Sequence, residues 1–414
     1  MKSKLLILIS IAVFFLTSCK NGDGPYANYE VATAITMSMA EFKNSGKVDP
    51  PKSIDESGKI YAYGNYIFVN DKSQGIHIID NTVPQSPKKI AFLNIPGNVD
   101  ISIKDNVLFA DSISDLLVFD ISDINNITLT NRMEDVLPGY VFWPVGVDLY
   151  EGEYDYQNEI LLGWSVKTEI LLIEEVEQRT GQGGVFFDLA AANAAEGGTG
   201  QGGSLARFKI VGDYLYAVDS HSINVFGIQD LNNPTDLEDV YAGFDIETIF
   251  NRGNHLFLGS MRGMYIYDIT SPATPTRISE FQHGTACDPV VVDGDYAYVT
   301  LRGGNECGAL ESGLFIIDIS DITMPTLKKT YPMDNPYGLG VKDEKLFVCD
   351  GTSGLKVYDK TNVDNITQLN HFKKINAFDV IPLESHLVLI GDGILLQYEY
   401  LENEIRLMSN FNLN

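Results

Sequence analysis

The sequence predicts an all-β fold of repeated four-stranded antiparallel units, and three observations predict it. A short apolar run, a turn and a second apolar run ending in Asp recur along the chain. The recurrence has a period of about 40 residues, the spacing of propeller blades. The runs are rich in Val, Ile, Tyr and Phe, which favour a pleated, half-buried backbone. Four strands of about 5–6 residues with short turns fill such a period. A solenoid coil would repeat every 20–30 residues or so, and a helical repeat would show a period of about 3.6. A β-propeller of four-stranded antiparallel blades follows, with eight blades favoured and seven as the alternative.

The units read in order as follows. NYIFVND from Asn65 precedes GIHIIDN from Gly75, and NVLFADS from Asn106 precedes LLVFDIS from Leu116. DYLYAVD from Asp213 precedes INVFGI, HLFLGS from His255 precedes MYIYDIT, and DYAYVTL from Asp295 precedes LFIIDIS. KLFVCDG from Lys345 precedes LKVYDKT, and HLVLIGD from His386 precedes ILLQYEY. Many runs are apolar on both faces, as expected when blades stack around an axis and cover one another. Between Trp143 and Glu177, ILLGWSV and EILLIEE suggest an eighth, degenerate unit, which becomes an elaboration if the ring has seven blades. Residues 178–203 break the pattern with two Gly/Gln-rich pieces around VFFDLAAANAAE, and read as a surface insertion.

Before the units lie two other regions. Lys2 and Lys4 precede an apolar run, Leu5 to Leu16, that is too short to span a bilayer and reads as a signal peptide over 1–18. Residues 19–56 lack strong periodicity and read partly as a tether, and 57–414 read as a single propeller domain. The LTSC box closing on Cys19 resembles a bacterial lipoprotein cleavage site, in which that cysteine thiol carries the lipid. The expected partner is then a membrane held through an N-terminal lipid. The expected location is the cell envelope: an outer-membrane lipoprotein facing the periplasm or the cell surface.

The apolar run ending in Asp, followed by Ile-Ser or Ile-Thr and often a proline turn, appears as GLFIIDISDITMP from Gly313 and GMYIYDITSPATP from Gly263. With LLVFDISDI from Leu116 and CDPVVVDGDYAYVTLRGGNEC from Cys287, it resembles the LVIVD repeat. The resemblance implies an exported bacterial β-propeller of the kind found among Bacteroidetes lipoproteins. It implies no enzyme activity.

The chain has 414 residues and a formal charge of −27, and losing Lys2 and Lys4 with the leader makes it more negative still. Such a surface repels phosphate backbones, which excludes nucleic acid as a partner. It suits solubility, cation capture or a basic partner.

An exported location permits disulfides. In an antiparallel meander the loops joining strand d to the next strand a share a face with the b–c loops. Cys287 falls in a d–a loop and Cys307 in the b–c loop of the same unit, which makes a Cys287–Cys307 disulfide geometrically sensible. Two free thiols or a metal site are the alternatives. Cys349 lies within a strand and reads as a small buried hydrophobe.

The same face is the candidate binding face. The inner strands start there, at Asp100, Trp143, Arg207, Glu247, Asp288, Tyr337 and Asp379. A d–a loop adds His283 and a b–c loop adds Arg302. Carboxylates, an Arg and aromatics converging on a channel mouth suit a cation or a polar ligand such as a glycan. The alternative is that they bond strand-end amides and channel water.

No HExxH, GxSxG or Walker sequence is present. GTGQGG from Gly198 fits GxGxxG formally, but no strand precedes it and no helix follows. The histidines lack zinc spacing, so no metal site is expected. An acidic stretch (Asp148, Glu151, Glu153, Asp155, Glu159) leaves Ca²⁺ open as the one cofactor, although it lacks the spacing of a calcium loop. The expected function is a non-enzymatic binding or scaffold module for an envelope protein or glycan. The alternative is an envelope enzyme acting on carbohydrate or peptide through Asp288, His283 and Arg302.

Overall fold

The computed structural model describes residues 26–139, 141, 143–144, 146–173, 176, 200–282, 289–303 and 312–414. These form eight sheets of two kinds. Seven contain a four-stranded antiparallel meander. In the first blade the strands are Ser57–Tyr63, Tyr66–Asp71, Gly75–Asp80 and Lys88–Asn94, named a to d from the axis outward. Blades 2 to 7 occupy 101–133, 208–241, 246–282, 290–332, 339–372 and 377–412. The outer strand of blade 3 is split into Thr235–Asp236 and Val240–Tyr241.

The ring closes on these seven. An apolar cluster fills every gap between successive blades. Ile78 packs with Leu108 between blades 1 and 2, Phe109 with Phe226 between 2 and 3, and Tyr298 with Leu346 between 5 and 6. Between the last blade and the first, Ile381 and Val388 pack against Ile67 and Val69. Each middle strand therefore buries both its faces, which is why its sequence does not alternate. The first and last blades each supply all four of their own strands, so side-chain packing, not an exchanged strand, closes the circle.

The eighth sheet is three-stranded, with the order Leu149–Glu151, Tyr26–Ser38, Glu159–Leu172. It contains the stretch read as a degenerate unit, but its central strand comes from the N-terminal region. The inner strands of blades 2 and 3 are in direct contact, so this sheet is an elaboration outside the ring. Its own small core is Val31, Leu149 and Val176.

The stretch expected as a tether is, from Tyr26 on, built into the fold. After Tyr26–Ser38 comes the helix Met39–Lys43, whose start is fixed by a capping box between Ser38 and Glu41. Lys43 and Arg132 both pair with the buried Asp115 of blade 2, at 3.1 and 2.7 Å. Lys47–Asp49 then adds a strand to the outer edge of blade 1. That leaves the tether reading to residues before Tyr26, outside the described residues.

Candidate functional site

The axis is filled by the chain itself. Gln201–Gly202 pairs with blade 1's inner strand at Ala62 and Tyr61. Gly200 N donates to Ile103 O of blade 2 at 3.0 Å, and Gly203 N donates to Ile60 O of blade 1 at 3.1 Å. Ser204 N and Oγ donate to Asp379 Oδ1 of blade 7, at 2.9 and 3.1 Å. Leu339 N of blade 6 donates to Ser204 Oγ, and Ile249 N of blade 4 donates to Ala206 O at 3.4 Å. The segment thus climbs from partway along the inner strands to their starts. It touches five blades before entering blade 3 as its inner strand.

This explains the glycines at the end of the Gly-rich stretch. A Cβ on Gly200 would overlap the Tyr61 ring, and one on Gly203 would overlap the Asp379 carboxylate. Residues 200–203 are therefore an axial plug and not part of a surface insertion. Residues 177–199 lie outside the described residues. The GxGxxG-like match leads into strands, Gln201–Gly202 and then Phe208–Val211, so it cannot place a phosphate at a helix start.

Several residues expected at the channel mouth are drawn into this packing. Asp100, Arg207, Glu247 and Asp379 are all buried. Asp100 Oδ1 accepts from Ile101 N at 2.8 Å, and its Oδ2 accepts from Arg207 N and from Phe208 N at 3.0 Å. It thereby ties the start of blade 3 to blade 2. The Arg207 side chain donates from Nε to Val218 O at 2.9 Å. Lys59 Nζ sits 3.6 Å from Asp100. Burial pushes the Lys59 ammonium below its usual range, opposed by the charge of Asp100. Burial pushes Asp379 up to about 7, against the hydrogen bonds from Ser204 and Val380. Burial likewise raises Asp111 to about 6, against the amides of Asp100 and Val99.

The remaining expected residues do not join this cluster. Arg302 lies over the Tyr337 ring, 4.2 Å from its centroid, and Tyr337 in turn packs edge-on against Phe378. Trp143 is not at the channel mouth. It precedes the strand Leu149–Glu151 and packs against the accessory sheet, where it meets Trp164 and Tyr150. The inner-strand position assigned to it does not exist because that sheet is not a blade. His283, Asp288, Cys19, Cys287 and Cys307 lie outside the described residues. Cys349 is a free, buried thiol whose burial raises its pKa, as suits a packing residue.

In the acidic stretch, Asp148 accepts from Glu30 N at 2.7 Å and Asp155 from Gln157 N at 3.1 Å. Among the described residues no group of three metal-ligating side chains comes together.

Two sets of residues escaped sequence reasoning. An Asp at the end of strand b clamps the incoming d–a loop. Asp71 accepts from Asp55 N and Glu56 N at 3.1 Å each, Asp111 from Val99 N at 2.8 Å, and Asp350 from Asn335 N at 2.7 Å. Its recurrence in IFVND, LFADS and LFVCD was the available signal. The second set is an exposed cluster on the same face. Phe244 meets His221 and Tyr241 edge-on, and Arg262 stacks over it at 5.2 Å while pairing with Asp245 at 2.7 Å. No periodicity marks these residues, which lie in loops or, for Tyr241, at a strand end.

A family model for the LVIVD repeat matches residues 56–88 and 283–332, which span most of blade 1 and blade 5. The chain carries LVIVD repeats. The Asp that ends strand c has a structural task in the matched blades and in others. Asp80, Asp120, Asp268, Asp318 and Asp359 each accept the backbone N–H two residues on, closing the turn after strand c. Those turns lie on the face opposite the candidate site.

The chain is similar to solved β-propellers. The periplasmic gluconolactonase PpgL of Pseudomonas aeruginosa has a TM-score of 0.52 and 8% identity, covering 86% of this chain and 96% of that one. Kluyveromyces lactis Hsv2 has a TM-score of 0.47 and 11% identity, covering 86% and 100%. BamB from Moraxella catarrhalis has 0.47 and 7%, covering 90% and 99%. At such identities the likeness concerns the fold alone. No curated protein matches the sequence.

Proposed function

We propose that this chain is a non-enzymatic binding or scaffold module of the cell envelope. It is held to the membrane by a lipid on Cys19 and presents the face of d–a and b–c loops to an envelope protein or glycan. The observation that carries the reading is the plug. It fills the axis and, with the strand-start amides, takes up Asp379 and Asp100, polar groups that a deep catalytic pocket would need. The loop face still offers Tyr241, Phe244 and Arg262 to solvent, at 62, 49 and 60% exposure. Aromatic and Arg side chains dominate binding hot spots. No cofactor belongs to this reading, and a Cys287–Cys307 disulfide would brace the same face.

Glycan-array and envelope-extract binding by the chain from Lys20 onward tests it, because every described element is retained. Capture of a ligand should fall at least about tenfold in Phe244→Ala and Arg262→Ala. Turnover of a carbohydrate or peptide that is lost in Asp288→Ala would replace the reading with the enzyme alternative. Palmitate labelling of the full chain should vanish in Cys19→Ala. Non-reducing mass mapping should link Cys287 to Cys307, and two free thiols there would refute the pairing.

A further inference from the structure

Among the described residues, the accessory sheet carries a small apolar core on one face, and the other face is closed over Ala32 by aromatic rings and exposed toward its Tyr26 end. Alternation along Tyr26–Ser38 sends Tyr29 and Val31 to one side, where Val31, Leu149 and Val176 form the small core. The register Tyr26↔Leu172, Asn28↔Ile170, Ala32↔Val166 and Ala34↔Trp164 puts these residues on the other side. Tyr150, opposite Ala32 on the third strand, joins them, as its ring contact with Trp164 at 5.1 Å confirms. Trp143 closes the row at 4.5 Å from Trp164. The resulting strip runs through Tyr26, Ile170, Val166, Trp164, Tyr150 and Trp143. Ile170 is 71% exposed, Tyr26 55%, Val166 41% and Trp143 39%. Within the strip the polar interruptions are Asn28, Glu30 and Thr168, of which Thr168 donates to Glu30 at 2.6 Å.

We propose that this strip lies on a phospholipid bilayer surface and sets the orientation of the propeller above it. The inference rests on the reading of Cys19 as the lipid-bearing residue. Tyr26, at one end of the strip, is seven residues from Cys19. Seven extended residues reach at most about 25 Å. A lipid on Cys19 therefore holds the strip within reach of the bilayer from the moment of anchoring. The composition fits the headgroup region, where Trp and Tyr place an apolar body inward and a polar edge in water. The acidic chain gains nothing from anionic headgroups, so contact with the bilayer comes from the aromatic and aliphatic side chains.

The chain contains two tryptophans, and both lie in the strip, so tryptophan emission excited clear of tyrosine absorption reports on this face alone. The chain from Lys20 onward carries no lipid and no leader. Mixed with phosphatidylcholine vesicles, it should show a blue-shifted emission that brominated lipid quenches. Adding anionic lipid at low salt should weaken binding, and raising the salt should restore it. Ile170→Ser with Val166→Ser keeps both reporters and should weaken partitioning about tenfold. Unchanged emission at millimolar lipid overturns the proposal. So does a dimer by light scattering whose tryptophans are already shielded, which makes the strip a self-interface. A shift with soluble glycan and none with vesicles makes it a sugar platform and equally overturns it. Palmitate labelling of the full chain reports the anchor separately, because the vesicle measurement uses unlipidated protein.

Discussion

The seven blades and the accessory sheet are made of similar strands but are stabilised differently. LLVFD in blade 2 is covered on both faces, by the clusters it shares with blades 1 and 3. EILLI in the accessory sheet is covered on one side by a cluster of three buried residues and, among the described residues, left exposed on the other. Apolar content alone does not distinguish them. The difference is whether a second sheet is available to pack against. The ring supplies one on each side of every blade, and among the described residues the accessory sheet has only the small cluster around Val31.

The largest effect that tests this contrast is a cavity between blades. Phe109→Ala, at the junction of blades 2 and 3, should destabilise by about 3–5 kcal/mol in denaturant melts. A loss below about 1 kcal/mol would mean that the blade 2–blade 3 junction is not a closed ring interface. Next comes overpacking of the axis. Gly203→Ala should cost about 1–3 kcal/mol because its Cβ meets the Asp379 carboxylate. A neutral result would show the plug to be loosely held. Ser204→Ala removes the hydroxyl's bonds to Asp379 and Leu339, leaves the backbone bond to Asp379, and should cost about 1 kcal/mol. In the accessory sheet, Gly163→Ala meets nothing within 4 Å and should stay within about 0.5 kcal/mol of the parent.

The buried carboxylates predict a pH dependence with a definite sign. Asp379 ionises near 7 in the folded chain, against an ordinary value of 3.8, so the folded state holds its proton more tightly than the unfolded state does. Its contribution to stability is greatest at low pH and is lost as the pH rises from about 4 to about 7. Asp111 adds to the same trend up to about 6. Asp379→Asn keeps an acceptor for Ser204 and should flatten the melting temperature against pH in that window. An unchanged slope would show that the charge on Asp379 is already compensated.

The candidate site was legible in part. Asp100, Arg207, Glu247 and Asp379 were found as residues at inner-strand starts, because the repeat period fixes where those strands begin. Their actual partners were not legible. Asp379 bonds Ser204, 175 positions away in sequence, and no local pattern announces that a Gly-rich stretch will thread the axis. Trp143 was misplaced for a related reason. The strand Glu159–Leu172 that follows it resembles a blade strand, and only the pairing of that strand with Tyr26–Ser38 shows that it is not.

The sequence by itself determined the β chemistry of the repeats, their period, and the turns closed by Asp80, Asp120, Asp268, Asp318 and Asp359. All of these are local: strand propensity, short turns and side-chain bonds two residues along the chain. The tertiary structure decided how many sheets enter the ring, what fills the axis and which apolar face is left bare. Those outcomes depend on contacts between segments far apart in the chain. Seven blades close because seven interfaces bury both faces of every blade, which leaves the eighth sheet outside to find another surface.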